Sequence, residues 1–172
     1  MALNNPARGG YTSAGAPVAG TDAVDTLTIG GTPTAGTFRL SHEGFTSADI
    51  AWDAVNATLL ANIDAALEAL PSIGAGGITT AAGTLTAGIG TLTLTHAGNT
   101  GKRAEVGIIG VATNALTGTA PTLASARTTP GVDATGRGAP KGATLTRLDT
   151  GVLYINTGTP VAPTWTVVGS QT

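Results

Sequence analysis

The sequence predicts a mainly β protein of the α+β class: an antiparallel β-sandwich-like domain with a single helix packed on it, plus a small C-terminal β module. Three observations carry this prediction. Side chains alternate with period two in several short runs, among them Val24–Ile29, Gly36–Ser41 and Thr91–Thr95, as half-buried strands require. One stretch, Asp53–Pro71, repeats instead at helical period. Glycine is abundant, 26 of 172 residues, and much of it falls between the runs, where turns need it.

Residues 1–22 are rich in Gly, Ala, Pro and Asn, hold Arg8 as the only charged side chain before Asp22, and show no period. They read as a flexible N-terminal arm, either a disordered tail or a segment that orders against a partner through Arg8 and Tyr11. A β-rich domain follows over 23–131. In it Val24, Thr26 and Thr28 alternate with Asp25, Leu27 and Ile29, and Gly30-Gly31 is expected to end that strand. A second strand, Gly36–Ser41, would pair with it as a hairpin over Gly-Thr-Pro-Thr-Ala. Ala48–Trp52 leads into the helix, with Trp52 as a packing anchor where helix meets sheet.

The helix spans about 54–70, with Val55, Leu59, Leu60, Ile63, Ala66, Leu67 and Leu70 on one stripe and Asn62, Asp64 and Glu68 mostly off it. Asp53 is the expected N-cap, since its side-chain oxygen can accept from a first-turn amide, and Pro71 is the expected stop. Ile78–Thr80, Thr91–Thr95 with Leu92 and Leu94 on one face, and Ala104–Gly110 with Val106 and Ile108 read as further strands. Residues 111–130 admit two readings, a strand pair or an extended strap. A Gly-rich linker over 132–142 then separates a module at 143–172, whose three β runs are broken by Asp149-Thr150-Gly151 and Thr157-Gly158-Thr159-Pro160. A sheet that short needs something to pack on.

Composition narrows the function. The chain is 41% hydrophobic but only 3% aromatic and 10% charged, so its core is thin and Leu/Ile/Val-based, and burial between subunits is attractive. A net charge of −2 argues against nucleic-acid and anionic-membrane partners, which want a basic patch. Without cysteine there is no disulfide framework or thiolate chemistry, and the N-terminus lacks the apolar core of a signal peptide. The expectation is synthesis in a reducing cytoplasm without export by the usual route.

Catalytic chemistry finds little support. His42 and His96 each end a β run, and His42-Glu43 lacks a third metal ligand at a recognisable spacing. Asp49 and Asp53 flank a helix entry, where capping explains them. Gly74-Ala75-Gly76-Gly77 follows a helix rather than preceding one, the wrong polarity for a phosphate cradle, and no serine sits in a nucleophile elbow. Asn56-Ala57-Thr58 matches a glycosylation sequon but lies inside the predicted helix. The expectation is a protein that is not an enzyme, with no catalytic, cofactor or metal site.

Two segments carry a resemblance. Asp25-Thr26-Leu27-Thr28-Ile29, Ala35-Gly36-Thr37-Phe38-Arg39-Leu40, Ile50-Ala51-Trp52-Asp53-Ala54 and Ala65–Gly74 together resemble a β-rich module common in tailed-phage structural proteins and some large surface proteins. That module usually has Tyr or Phe in place of Trp52 and Asn in place of Asp53, swaps that preserve the physical role. The second segment, Gly151–Pro160 through Pro163-Thr164-Trp165 to Val168-Gly169, is similar to the C-terminal β module of phage head fibres, capsid decoration proteins and some tail fibres.

The resemblance implies a virion structural protein on the outer capsid surface, made in the host cytoplasm, that reinforces contacts between capsomers. Its implied partners are the major capsid protein and itself, as a homotrimer; Tyr154, Ile155 and Trp165 are the candidate oligomer-interface residues, and Arg8 and Tyr11 the candidate capsid contacts. The alternative is a tail-associated fibre or receptor-binding module that takes saccharide.

Overall fold

The structure, a computed structural model, describes residues 10–13, 15–98, 101–136 and 138–169. In chain order its elements are β1 (Gly10–Ser13), β2 (Val24–His42), β3 (Phe45–Thr46), β4 (Ile50–Ala51), α1 (Asn56–Glu68), β5 (Ile78–Ala82), β6 (Gly90–His96), β7 (Gly110–Thr129), β8 (Thr144–Arg147), β9 (Leu153–Asn156) and β10 (Trp165–Val167). The fold is mainly β, with one helix, antiparallel sheets and a small separate sheet, as the period-two runs predict. The chain divides into two compact units: Asp22–Gly131, and the segments before and after it taken together.

In the larger unit β2 lies antiparallel to β7 along nearly its whole length, from Val24 opposite Thr129 to Ser41 opposite Gly110. Its other edge pairs in turn with β6 over Val24–Ile29, with β4 at Thr37 and Phe38, and with β3 at Ser41 and His42. β5 extends the sheet beyond β6. A straight strand of 19 residues would span roughly 60 Å. Yet Asp25 and His42, near its two ends, both reach His96: Asp25 Oδ2 lies 2.9 Å from His96 Nε2, and the two imidazole centroids are 5.4 Å apart. The β2–β7 ribbon therefore folds back on itself.

The bend falls where the sequence permits it. Register shifts interrupt the pairing between Gly30 and Thr32 and between Pro33 and Ala35. Gly31 and Gly36 on β2 and Gly118 on β7 take left-handed angles, φ 72°, 106° and 134°. A Cβ on Gly31 would press on the Ala120 carbonyl, and one on Gly118 on the Thr32 carbonyl. Across the bend Asn114 Nδ2 donates to the Pro121 carbonyl at 3.3 Å. Leu27, Ile29, Phe38, Leu40, Leu92, Leu94 and Ile109 are buried together with Leu59, Ile63 and Leu67 of α1. Each such side chain contributes about 1.5–3 kcal/mol of transfer free energy.

Several expectations need correction. Val24–Ile29 and Gly36–Ser41 do not form a hairpin but belong to one strand, because the Gly-Gly step bends a ribbon whose partner, β7, continues past it. Residues 111–130 are neither a strand pair nor a strap: all but the last lie in β7. Ala104–Ile109 is not a strand; Val106 and Ile109 are buried while Ile108 is 54% exposed, so period two fails there. The helix is Asn56–Glu68, shorter than 54–70, and Val55 occupies the N-cap without a side-chain cap. Asp53 Oδ1 instead accepts from the Val55 amide at 2.6 Å, a local turn ahead of the helix.

The smaller unit has the strand order β1-β8-β9-β10. β8, β9 and β10 are antiparallel, whereas β1 joins β8 in parallel, with Tyr11 opposite Leu145. Its described part also includes Val18, whose carbonyl accepts from Thr135 N at 2.9 Å, and Thr21, which exchanges backbone bonds with Val132. Residues 10–13 are thus a strand of the C-terminal sheet, where the sequence reading has a flexible arm over 1–22. The segment expected as a linker over 132–142 buries Ala134 and Ala139 and passes Gly136 so close to the Trp165 ring that a Cβ would collide with it. It packs as part of the module instead of spacing it.

Candidate functional site

The strand alternation that builds the core also aims four polar side chains into it. Asp25 shares a face with Leu27 and Ile29, His42 with Phe38 and Leu40, and His96 with Leu92 and Leu94, and all nine are buried. Arg127, near the end of β7, is opposite Asp25 in the register. The bend in the ribbon brings these positions together.

Asp25 is the centre. Its carboxylate accepts from Arg127 Nε at 2.5 Å, from His96 Nε2 at 2.9 Å and from the Ile109 amide at 3.0 Å. Arg127 Nη2 in turn donates to the carbonyls of Gly107 at 2.7 Å and Val106 at 3.2 Å. One ion pair therefore holds three backbone groups of the irregular segment before β7, which explains why a chain without strand pairing there is still ordered. Burial pushes the Asp25 carboxyl up, but the bonds from His96, Arg127 and Ile109 and the Arg127 charge outweigh it and hold it below its ordinary value.

His42 stands beside His96, its ring tilted 41° from it. Ser72 Oγ lies 3.2 Å from the His42 carbonyl, to which it can donate, and 2.9 Å from His42 Nδ1, so it ties the end of β2 to the turn after the helix. Burial pushes the His42 imidazole below its ordinary value. Glu43, the next residue, accepts from the Gly107 amide at 3.3 Å. Among the described residues, His42 Nε2 and His96 Nδ1 are buried without a hydrogen bond of good geometry, though the Gly107 backbone interacts with the His42 ring and favours its charged form.

Serine, histidine and aspartate are the residue types of nucleophilic catalysis, but the connections differ. Ser72 bonds His42 while Asp25 bonds His96, so no single imidazole links base to orienting carboxylate. Asp25, His42 and His96 are each at most 1% exposed, which leaves no approach for a substrate. Among the described residues no group of three or more His, Asp or Glu could hold a metal ion.

The C-terminal module has its own polar centre, Asn156. Its Nδ2 donates to the Ala139 carbonyl at 2.8 Å and the Pro140 carbonyl at 3.3 Å, and its Oδ1 accepts from Gly158 and Thr164 amides, both at 2.9 Å. A buried amide with both ends satisfied fixes the two loops around it. Of the residues singled out in the sequence for partner contact, Tyr154, Ile155 and Trp165 lie here, all partly buried. Trp165 Nε1 donates to the Thr135 carbonyl at 2.5 Å, and its ring lines a cleft of about 130 Å³ with Pro17, Val18, Ala19, Pro163 and Thr164. Tyr11 is on β1, and Arg8 lies outside the described residues.

Sequence reasoning missed Asp25, Arg127 and Asn156 as organising residues. A signal existed for the first, a carboxylate on the apolar face of its own strand. No protein-family model matches the chain, and no curated protein matches its sequence.

Proposed function

We propose that the chain is a structural protein of a tailed-phage virion that decorates the outer capsid surface and reinforces contacts between capsomers. The observation that carries this reading is the segment Gly151–Gly169, whose resemblance is to modules of head fibres and decoration proteins. That segment supplies β9 and β10 of a small sheet with its own buried hub, Asn156. Such an appended module suits display on a particle.

The same sheet supports self-association. Leu145 is its one large apolar side chain buried completely among the described residues, while Leu148, Val167 and Val168 are exposed. A sheet with so little core gains by covering Tyr154, Ile155, Trp165 and these valines against copies of itself, and a homotrimer is the assembly the resemblance implies. The contact with the major capsid protein is assigned to the N-terminal end, including Arg8. Because Gly10–Ser13 is paired in the sheet, deletion of residues 1–9 tests that contact while keeping β1.

Antibody labelling of the particle in electron micrographs tests the reading. Label over the head is expected, and label confined to the tail tip overturns it in favour of a tail fibre or saccharide-binding module. Light scattering at micromolar concentration should return about three times the 16.7 kDa chain mass; a value near the mass of one chain removes the trimer.

A further inference from the structure

We propose that the larger unit gates the smaller one: Asp22–Gly131 is an insertion that parts the two pieces of the small sheet, and that sheet forms only once the insertion has folded and drawn its own ends together. The larger unit folds without the smaller. The smaller unit is discontinuous, with everything up to Thr21 on one side of the insertion and everything from Val132 on the other. The chain has no cysteine, so hydrogen bonds and packing alone hold the pieces to each other. β1 lies beside β8, from Gly10 opposite Thr144 to Ser13 opposite Arg147. Nearer the insertion, Val18 N donates to Thr135 Oγ1 and Thr135 N to the Val18 carbonyl, both at 2.9 Å. Thr21 N donates to the Val132 carbonyl at 3.0 Å and Val132 N to the Thr21 carbonyl at 2.9 Å. Gly20, at φ 79°, permits this approach, since a Cβ there would lie 2.9 Å from the Val132 carbonyl oxygen and from Ala134 N.

The larger unit holds its own two ends. Its core, from Leu27 to Ile109, lies wholly within Asp22–Gly131. Val24 is opposite Thr95 of β6 on one side and Thr129 of β7 on the other. Ala23 is fully buried, and its carbonyl accepts from the His96 amide at 2.9 Å. At the other end Gly131 passes so close that a Cβ on it would lie 3.3 Å from the Ala23 Cβ. Once folded, the unit therefore hands on the chain at two neighbouring points, where Thr21 and Val132 begin.

The asymmetry is entropic. With the insertion folded, Thr21 and Val132 pair across ends that are already adjacent. With it unfolded, the same pair has to close a loop of roughly a hundred residues, which lowers the population of the paired state by about a hundredfold or more. The smaller unit has little to set against that loss, since Leu145 is its one large apolar side chain buried completely among the described residues. Unfolding the smaller unit, by contrast, leaves the larger with two tails and opens no loop inside it. For the self-association proposed above, and resting on that reading, the gate sets an order: a chain whose larger unit is unfolded lacks the sheet that copies would recognise.

The test is amide hydrogen exchange of the full chain, read by NMR at neutral pH. Ile63→Asp with Leu67→Asp puts two charges into the core of the larger unit and unfolds it, seen as lost protection at His96. Protection at Thr135 and Asn156, whose amides bond the Val18 and Ala143 carbonyls, should then fall by about a hundredfold or more. In the reverse arm Leu145→Asp unfolds the smaller unit, and His96 should keep its protection within about twofold. A cross-link identifies the route: Thr21→Cys with Val132→Cys, oxidised, closes the loop for good, and should restore Thr135 and Asn156 in the Ile63→Asp, Leu67→Asp chain. If the disulfide does not form, the first two arms decide. The proposal is overturned if Thr135 and Asn156 stay protected while the larger unit is unfolded, if Leu145→Asp strips protection from His96, or if the closed cross-link restores nothing. These readings are of folding, so a chain that proves monomeric removes the trimer and leaves the gate standing.

Discussion

Asp25 shows how one side chain can order a region that has no regular structure. Its partners come from β6, from β7 and from the segment between them, so exchange for Asn strips the Arg127 cation of its counter-charge and leaves one acceptor oxygen for donors that two oxygens served. Breaking a buried ion pair from one side costs about 3–5 kcal/mol. Arg127 keeps 14% of its side chain exposed, which places Asp25→Asn at the lower end. Chemical denaturation at pH 7 checks this, and a loss under about 1 kcal/mol would mean that the pair is dispensable. Because the Asp25 carboxyl is held below its ordinary 3.8, the unfolded chain binds the proton first and the contribution is lost as pH falls from there. Asp25→Asn should therefore flatten the acid limb of the stability curve below about pH 3.8.

At the scale of elements, α1 and β2 were legible to different degrees. The helix stripe predicted the buried face at Leu59, Ile63 and Leu67, the residues that α1 buries, but not at Val55, which is the N-cap and exposed. Leu67→Ala removes a fully buried side chain and leaves a cavity, a loss of about 2–5 kcal/mol. Asn62→Ala breaks only an exposed bond, from Asn62 Nδ2 to the Ala51 carbonyl at 3.0 Å, and should cost about 1 kcal/mol or less. Denaturation midpoints of the two variants check the pair, and a larger shift for Asn62→Ala would reverse the assigned faces. β2 was read as two strands because Gly-Gly is a turn signal in isolation. Nothing local distinguishes a turn that reverses a strand from a bend that both strands of a ribbon share.

For the whole molecule, the two tryptophans fall one in each unit, Trp52 within Asp22–Gly131 and Trp165 in the other. They report on the units separately. Asn156→Ala strips partners from Ala139, Pro140, Gly158 and Thr164, and the buried Ala139 carbonyl left unpaired costs about 1–3 kcal/mol. The midpoint followed by Trp165 in a Trp52→Phe background should drop strongly, while that followed by Trp52 in a Trp165→Phe background should not move. Equal shifts would show that the two units unfold as one.

The sequence by itself determined which way side chains point. Period two set Asp25 beside Leu27, His42 beside Leu40 and His96 beside Leu94, and period 3.6 set the helix stripe, because side-chain direction is a local property of the backbone. Only the tertiary structure decided where those faces meet. That Gly30-Gly31 bends a strand, that residues 10–13 pair in parallel with β8, and that Asp25 finds Arg127 102 residues away all depend on hydrogen bonds between distant segments. Such bonds leave no period in the chain, since each partner's alternation is the same whichever strand lies beside it.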